Sequence, residues 1–142
     1  MAGRFWEAKQ GRIWVGRIET GDDLVEGIER FCAEQKVSAA WVNAIGAVRH
    51  AAFAYYDQHE RRYVELESAE HHEITGFIGN ISMREDRQFL HAHGSFATRT
   101  GEAVGGHLLP GCEVFVAEVS IREMTGVELV RTPDEVTGLA LW

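Results

Sequence analysis

Short β-prone runs separated by glycine fill most of this chain and limit the folds open to it. Fifteen glycines and only two prolines are spread over 142 residues, so most chain reversals must be glycine turns. Short runs that mix apolar and polar positions in this way are typical of strands in a largely antiparallel sheet. Since no stretch resembles a linker, we expect one domain that spans residues 1–142.

One segment has the periodicity of a helix. Apolar residues recur at helical spacing between positions 24 and 32, directly after the cap candidates of Thr20–Asp23. The pattern predicts a helix with one apolar stripe that faces a sheet. Cys32 lies on this stripe and is predicted to be a small buried residue rather than a reactive thiol.

The remaining β-prone segments predict the sheet. With the one principal helix, they indicate an α+β fold built on a mainly antiparallel mixed sheet. The apolar tail Leu139–Trp142 is expected either to fold back onto the core or to cover a subunit contact. The predicted strands are Gly11–Ile18, Ser38–Val48, Ala51–Tyr56, Tyr63–Leu66, Glu73–Met83, Phe89–Ala97, Ala103–Leu109 and Glu113–Arg122, with Val127–Arg131 as a further candidate.

Charge and cysteine usage exclude several classes of protein. Fourteen basic and 22 acidic residues give a formal net charge of −8, which disfavours nonspecific binding to nucleic acid. Cys32 and Cys112 are too few and too far apart for a disulfide framework or a cysteine zinc ribbon. No run is long and apolar enough to cross a membrane, and Met1–Lys9 lacks the apolar core of a signal peptide. We therefore expect a cytoplasmic protein without a membrane partner.

Three of the seven histidines have a spacing that suits a metal ion. His91 and His93 are two apart on a predicted strand, so their side chains share one face about 7 Å apart. A hairpin that reverses at Thr100 and Gly101 would place His107 directly opposite His93, and Gly105 and Gly106 permit close backbone approach. Three imidazoles with an open fourth position are typical of catalytic zinc sites. Surface or hydrogen-bonded imidazoles are the alternative reading of the same pattern.

Other candidate residues have weaker signals. Glu118 is interpreted as sharing a strand face with Val114 and Val116, where a carboxylate would need a partner such as a metal-bound water or a histidine. It is therefore a candidate catalytic proton carrier, with an ordinary surface glutamate as the alternative. Cys112 follows a turn glycine without a second thiol and is predicted to be structural. The remaining histidines are predicted to be solvated, and they are His50, His59, His71 and His72.

Several of these motifs together resemble the bacterial and archaeal branch of the PPC family, the plants-and-prokaryotes-conserved domain. They are FLHAHGSF (Phe89–Phe96), GGHLLPGCEVF (Gly105–Phe115), the runs Gly79–Ile81 and Ala117–Val119, the helix start ETGDDLVEGIERFC, and NAIGAVRHAAFAYYD (Asn43–Asp57). The similarity covers nearly the whole chain. Its most specific part is GGHL together with the upstream His-x-His.

The resemblance implies a homotrimer in which His91, His93 and His107 coordinate zinc or another divalent metal. The family's fold is also similar to that of acetolactate decarboxylase, which holds zinc with three histidines, but such an analogy indicates a metal site rather than a reaction. Plant relatives join this domain to AT-hook peptides that bind DNA. Gly3-Arg4-Phe5 and Gly11-Arg12-Ile13 lack the second arginine and the proline of such a hook, so nucleic acid is an unexpected partner.

Three functions follow as hypotheses. The first is a metal-centred homotrimer that acts on a small molecule of unknown identity, in which zinc activates water or polarises a carbonyl and Glu118 carries a proton. The second is a DNA-binding or regulatory domain without catalysis. The third is a ligand-binding or assembly module. Whichever holds, three-histidine ligation predicts loss of metal as the pH falls through about 6, because only neutral imidazole binds a cation.

Overall fold

The computed structural model describes residues 3–142, which form one long sheet, one helix and a short two-stranded ribbon. The helix and the eight strands of the main sheet lie close to where the sequence pattern predicts them, with strand ends that differ by up to three residues, whereas the two-stranded ribbon was not predicted. In chain order they are β1 (Lys9–Ile18), α1 (Leu24–Glu34), β2 (Ala40–Val48), β3 (Ala51–Asp57), β4 (Arg62–Ser68), β5 (His72–Arg84), β6 (Arg87–Ala97), β7 (Ala103–Leu108), β8 (Val114–Thr125), β9 (Thr132–Pro133) and β10 (Ala140–Leu141).

The main sheet has eight strands in the order β1-β8-β2-β5-β6-β7-β3-β4, and its neighbouring strands pair antiparallel. The α+β class predicted from the sequence is confirmed. The two histidine-bearing strands, β6 and β7, lie inside this order rather than at an edge. Their backbone positions are therefore held by hydrogen bonds on both sides, which is the support that a precise site needs.

Helix α1 begins and packs as the apolar periodicity predicts. The side chain of Asp23 caps it by accepting a hydrogen bond from the backbone N–H of Glu26 at 2.8 Å. Its apolar stripe, with Leu24, Ile28 and Cys32 fully buried, packs against the sheet. Burial raises the pKa of the Cys32 thiol to about 12, so Cys32 is an inert core residue, as its place on the stripe predicts.

One bulge changes which face of β8 its residues occupy. The register between β8 and β2 shifts between the pairs Val116–Ala47 and Val114–Val48, so β8 contains one extra residue there. Val114 and Ala117 are consequently both buried, while Glu118 is exposed. The prediction that Val114 shares a face with Glu118 is wrong for this reason.

The predicted strand Val127–Arg131 is also wrong as a strand. Backbone hydrogen bonds of 2.8 Å join Met83 to Leu129 and to Arg131, but they amount to one isolated parallel bridge between Met83 and Val130. The physical reason is that β2 pairs with β5 only as far as Ile81. The segment therefore finds unpaired backbone groups on β5 only beyond that residue.

The apolar tail folds back on the chain, but its side chains are half-buried or exposed and do not join the core, so its two predicted roles stay predictions. β10 pairs with β9, and the indole of Trp142 contacts Trp6 edge to face, with ring centroids 5.7 Å apart. Across residues 3–142, no helix has the length and apolar character to cross a membrane.

Candidate metal centre

The β6–β7 hairpin brings the three histidines together in the predicted register. His93 pairs directly with His107, and His91 lies two residues before His93 on the same face of β6. The reversal occurs at Thr98–Glu102, where Gly101 has a φ of 84° that favours glycine. The prediction that the three side chains converge is confirmed.

The three rings form one compact cluster. Their centroids are 5.1 Å apart for His91 and His93, 5.2 Å for His91 and His107, and 5.6 Å for His93 and His107. Taking one ring nitrogen from each, these atoms all lie within 4.8 Å of one another. His93 is exposed and the other two are half-buried, so the cluster is open on one side. Such an arrangement could hold a metal ion and leave room for another ligand.

Close packing of β7 between β6 and β3 depends on two glycines. A Cβ at Gly105 would lie 2.0 Å from the carbonyl oxygen of Gly94, and one at Gly106 would lie 2.6 Å from that of Ala54. Neither space could take a methyl group without a shift of the backbone. Gly105 and Gly106 thus allow β7 to approach β6 and β3 closely, as predicted, and this approach keeps His107 beside His93.

Two of the imidazoles are held neutral by their surroundings. Burial lowers the pKa of both His91 and His107 to about 4, and the positive charge of Arg131 and of neighbouring histidines contributes to the same shift. At neutral pH each of these rings therefore keeps a nitrogen lone pair. A neutral ring is the form that binds a metal ion.

One ring nitrogen of the cluster is buried without a hydrogen-bond partner, as is Nδ1 of His72 elsewhere in the sheet. Nδ1 of His107 is buried and makes no hydrogen bond within the described residues. A buried polar atom without a partner is destabilising, and a cation bound to this nitrogen would remove that cost. The donor set and this unpartnered atom fit a divalent metal of the zinc type, for which imidazole is a preferred ligand.

Arg131 reaches the cluster from the segment before β9. It donates to Oγ of Ser82 at 2.7 Å, to the carbonyl of Ala140 at 2.9 Å and to Oδ1 of Asn80 at 3.2 Å. Its Nη2 also donates to Nδ1 of His91 at 3.3 Å. Arg131 thus links β5, the tail and the histidines, and it competes with any cation for a lone pair of His91.

A cavity of about 300 Å³ opens beside the cluster, and we call it the arginine cavity. The ring of Tyr63 forms one wall and lies against His107, with centroids 4.7 Å apart. Its lining residues are Tyr63, Arg84, Phe89, His91, His107, Leu109, Arg131 and Gly138–Leu141. The folded-back tail therefore forms part of the wall of this cavity.

Glu118 does not contact the histidines within one chain. It pairs with Arg17 on β1 and with Ile45 on β2, and β8 stands three strands from β6 in the sheet. At about 4.8 Å per strand that is a separation of about 14 Å. Glu118 does share the sheet face of the cluster, because the paired residues Ser120, Asn43 and Ile78 connect its face to His93 across the sheet.

The other histidines and Cys112 have varied surroundings. His59 and His71 are exposed as predicted, and His50 is half-buried beside the carbonyl of Gly111, 2.7 Å from its Nδ1. The prediction that His72 is solvated is wrong, because its ring packs against Phe96 inside the sheet and bonds Ser68 at 2.7 Å. Cys112 is buried against Ala52, which raises its pKa to about 11 and agrees with a structural role.

Sequence reasoning missed Arg131, Tyr63 and the wall formed by the tail. Each reaches the site from an element remote in sequence, so no local spacing connects it with the His-x-His motif. The apolar character of Leu139–Trp142 was the one available signal, and it pointed to the core without indicating the site.

Comparison with known proteins finds solved structures of the same fold. It is 41% identical to a metal-containing protein from Archaeoglobus fulgidus, with 99% of each chain covered and a TM-score of 0.94. It is 23% identical to a protein from Bacteroides thetaiotaomicron described as a candidate DNA-binding protein, with 94% and 95% of the two chains covered and a TM-score of 0.84. At that identity the similarity shows the fold alone.

A curated relative is a much longer protein. The chain is 30% identical over 129 residues to the bifunctional protein GlmU of Synechococcus sp. (strain JA-3-3Ab), which covers 89% of this chain and 20% of that protein. It thus spans about a fifth of the length of the curated relatives that it matches. The Plants and Prokaryotes Conserved (PCC) domain, the family abbreviated PPC above, matches residues 6–125. With its histidine hairpin and this match, the chain belongs to the PCC domain family.

Proposed function

We propose that this chain is a divalent-metal-binding domain, that zinc is the metal held by His91, His93 and His107, and that the site acts on a small molecule. The convergence of three imidazoles, one of them with an unpartnered buried nitrogen, carries the proposal. The description of the Archaeoglobus fulgidus relative as metal-containing supports it. When bound, zinc would supply a Lewis acid for a carbonyl or a water molecule of lowered pKa.

The residues of the chain have separable tasks in this proposal. The hairpin orients the three rings, burial keeps two of them neutral, and the arginine cavity offers space for a substrate next to them. The tail and Tyr63 form walls of that cavity. We propose that a single domain over residues 1–142 performs these tasks.

We also propose that the domain works as a homotrimer. Apolar side chains stand exposed on the sheet face that continues from the histidines, with Val15 83%, Ile45 62% and Ile78 59% exposed. Ile78 pairs directly with His93, so this apolar surface reaches the edge of the histidine cluster. Burial of such a surface between subunits would be strongly favourable, and it would place the site at a subunit boundary.

In a trimer, Glu118 is the candidate proton carrier for a neighbouring subunit's site. Its place on the exposed apolar face supports this assignment, since about 14 Å separates it from the cluster of its own chain. Sedimentation velocity tests the assembly directly. A monomer mass at working concentration would contradict both the trimer and the role of Glu118.

Metal content tests the central proposal. Protein without an affinity tag is dialysed against a zinc-containing buffer and desalted to remove unbound metal. Elemental mass spectrometry then measures its zinc content. We expect close to one zinc per chain, and loss of that zinc in the double variant His91→Ala, His107→Ala. The matched control is His59→Ala, His71→Ala, which removes two exposed imidazoles. Wild-type protein without zinc, or equal zinc in both double variants, would overturn the assignment.

DNA binding is the second candidate function, favoured by the description of the Bacteroides thetaiotaomicron relative. The net charge of −8 opposes it, because phosphate contacts need a concentration of cations. A titration with duplex DNA at physiological salt separates the two candidates. Binding tighter than about 10⁻⁴ M would favour a DNA-associated role, since weaker binding lies below that of ordinary nonspecific binders.

A further inference from the structure

The arginine cavity is positively charged in a protein that is acidic overall. Arg84 and Arg131 both line it, and its lining contains no aspartate or glutamate among residues 3–142. Both guanidinium groups lie 5.3 Å from the ring centroid of Phe89, which also lines the cavity. Two positive charges are thus held within the lining of one small cavity.

Arg131 is a buried charge without a counterion. It is only 9% exposed, and its hydrogen-bond acceptors are the uncharged groups of Ser82, Asn80, Ala140 and His91. Within the described chain, no carboxylate lies within 4 Å of it or of Arg84. A buried charge without an opposite charge is costly, and proteins normally pair it. The structure leaves that pairing to something outside the chain.

The guanidinium groups still have donors to offer. Arginine has five N–H groups, and the four contacts of Arg131 leave one on Nη1. Arg84 is exposed at the mouth of the cavity and has no ion pair in the described residues. Donors that surround a cavity without acidic groups attract an anion, and charged hydrogen bonds to it are stronger than neutral ones.

The rest of the lining limits the ligand's size and character. About 300 Å³ lies at the lower end of ligand pockets, so the occupant is a small molecule. Leu109, Leu139 and Leu141 give the cavity an apolar side, and Tyr63 adds a hydroxyl. The histidine cluster borders the same space through His91 and His107.

We propose that the arginine cavity binds a small organic anion, with its carboxylate or phosphoryl oxygens on Arg84 and Arg131 and its apolar part against the leucines. This inference deepens the proposed function and rests on it in naming the substrate class of the same site. The arginines hold the anionic group, and the rest of the molecule lies between the leucines and the histidines. The ligand also supplies the negative charge that Arg131 lacks.

The test uses ¹⁵N-labelled protein spanning residues 1–142 in two forms, metal-free and zinc-loaded. NMR spectra record the shifts of its amide and arginine Nε–H resonances as a probe is added. The probes are propionate, inorganic phosphate and the neutral propionamide, at constant ionic strength. We expect saturable shifts at the cavity residues in the metal-free protein for at least one anion, with a Kd on the order of 1–10 mM for so small a probe. Saturable shifts with propionate would identify a carboxylate ligand. Saturable shifts with phosphate alone would identify a phosphoryl ligand.

Arg84→Gln is the decisive variant, because Arg84 is exposed and its loss should leave the fold intact. We expect it to weaken anion binding by about fivefold or more, as loss of one charge contact implies. The matched control Arg99→Gln removes another exposed arginine, from the β6–β7 turn, and should change the Kd by less than about twofold. Equal shifts with propionamide, or an unchanged Kd in Arg84→Gln, would overturn the inference.

Zinc content measured on the same samples separates this inference from the metal proposal. If zinc binds but neither anion does, the anion site is refuted and the metal centre stands. If metal-free protein binds the anion through Arg84 and no zinc binds, the metal centre is refuted and the anion site stands.

Discussion

Acidifying the metal-free protein should destabilise it through the two half-buried imidazoles of the cluster. Burial lowers the pKa of His91 and His107 from 6.5 to about 4 in the folded protein, whereas the unfolded chain keeps the ordinary value. Between pH 6.5 and 4 the unfolded state therefore binds more protons than the folded state. Stability is complete above pH 6.5 and falls as the pH drops through this window.

The magnitude follows from the two shifts. One pKa unit corresponds to about 1.4 kcal/mol, so a shift from 6.5 to about 4 gives about 3 kcal/mol for a single fully buried ring. Both rings are partly exposed, and solvent screening reduces their contribution. We expect the pair together to remove about 2–3 kcal/mol of the free energy of unfolding between pH 7 and pH 4.5.

Urea denaturation with EDTA, at fixed protein concentration and at several pH values from 7 to 4.5, measures this loss. Comparison with His107→Gln cancels the contribution of every other titrating group, because glutamine stays neutral. The wild type should lose about 1 kcal/mol more than this variant over the range. His71→Gln, which changes an exposed ring, should follow the wild type. If His107→Gln loses as much stability as the wild type, the neutral buried cluster does not exist as described.

Four further outcomes are expected. Zinc-loaded protein should lose half of its metal at a pH below 6, because protons compete poorly for rings whose pKa is about 4. This pH is lower than the value of about 6 expected from the histidine pattern alone. Metal analysis after dialysis at stepped pH measures the loss, and loss of half the metal above about pH 6.5 would contradict the prediction. Gly105→Ala should abolish zinc retention or folding, since its methyl group would lie 2.0 Å from a backbone oxygen; zinc content and circular dichroism of the purified variant decide it. Phe96→Ala should lower the free energy of unfolding by about 3–5 kcal/mol in urea, as expected for a fully buried aromatic ring, and a loss below about 1 kcal/mol would refute its place in the core. Glu118→Gln should leave the zinc content of each chain unchanged, because Glu118 is three strands away from the cluster, and a loss of metal would show that it ligates.

The histidine cluster was predictable because its information is local. His91, His93 and His107 lie within one hairpin, so the two-residue period of a strand and the position of the turn decide which side chains meet. Helix α1 was predictable for a similar reason, since its cap and its apolar stripe lie within the same short segment.

The errors arose where pairing partners changed the local pattern. A bulge in β8 reversed the face of Val114 relative to Glu118, and period-two reasoning contains no signal for an extra residue. His72 has the sequence context of an exposed loop, yet it begins β5 and packs on Phe96 from the next strand. The segment Val127–Arg131 has strand-like composition, but β2 already occupies most of that side of β5.

Four features follow from the residues alone, because each depends on a pattern within one helix, strand or hairpin: the α+β class, the helix, the strands of the main sheet and the trio of imidazoles. The folded chain adds Arg131, Tyr63 and the folded-back tail, which lie beside that trio and form a cavity whose lining, within residues 3–142, has no acidic group. These residues meet through the order of strands in the sheet and the path of the chain over it. Contacts between segments that are far apart along the chain leave no fixed spacing in the sequence, so the ligand environment of the site appears only once the chain has folded.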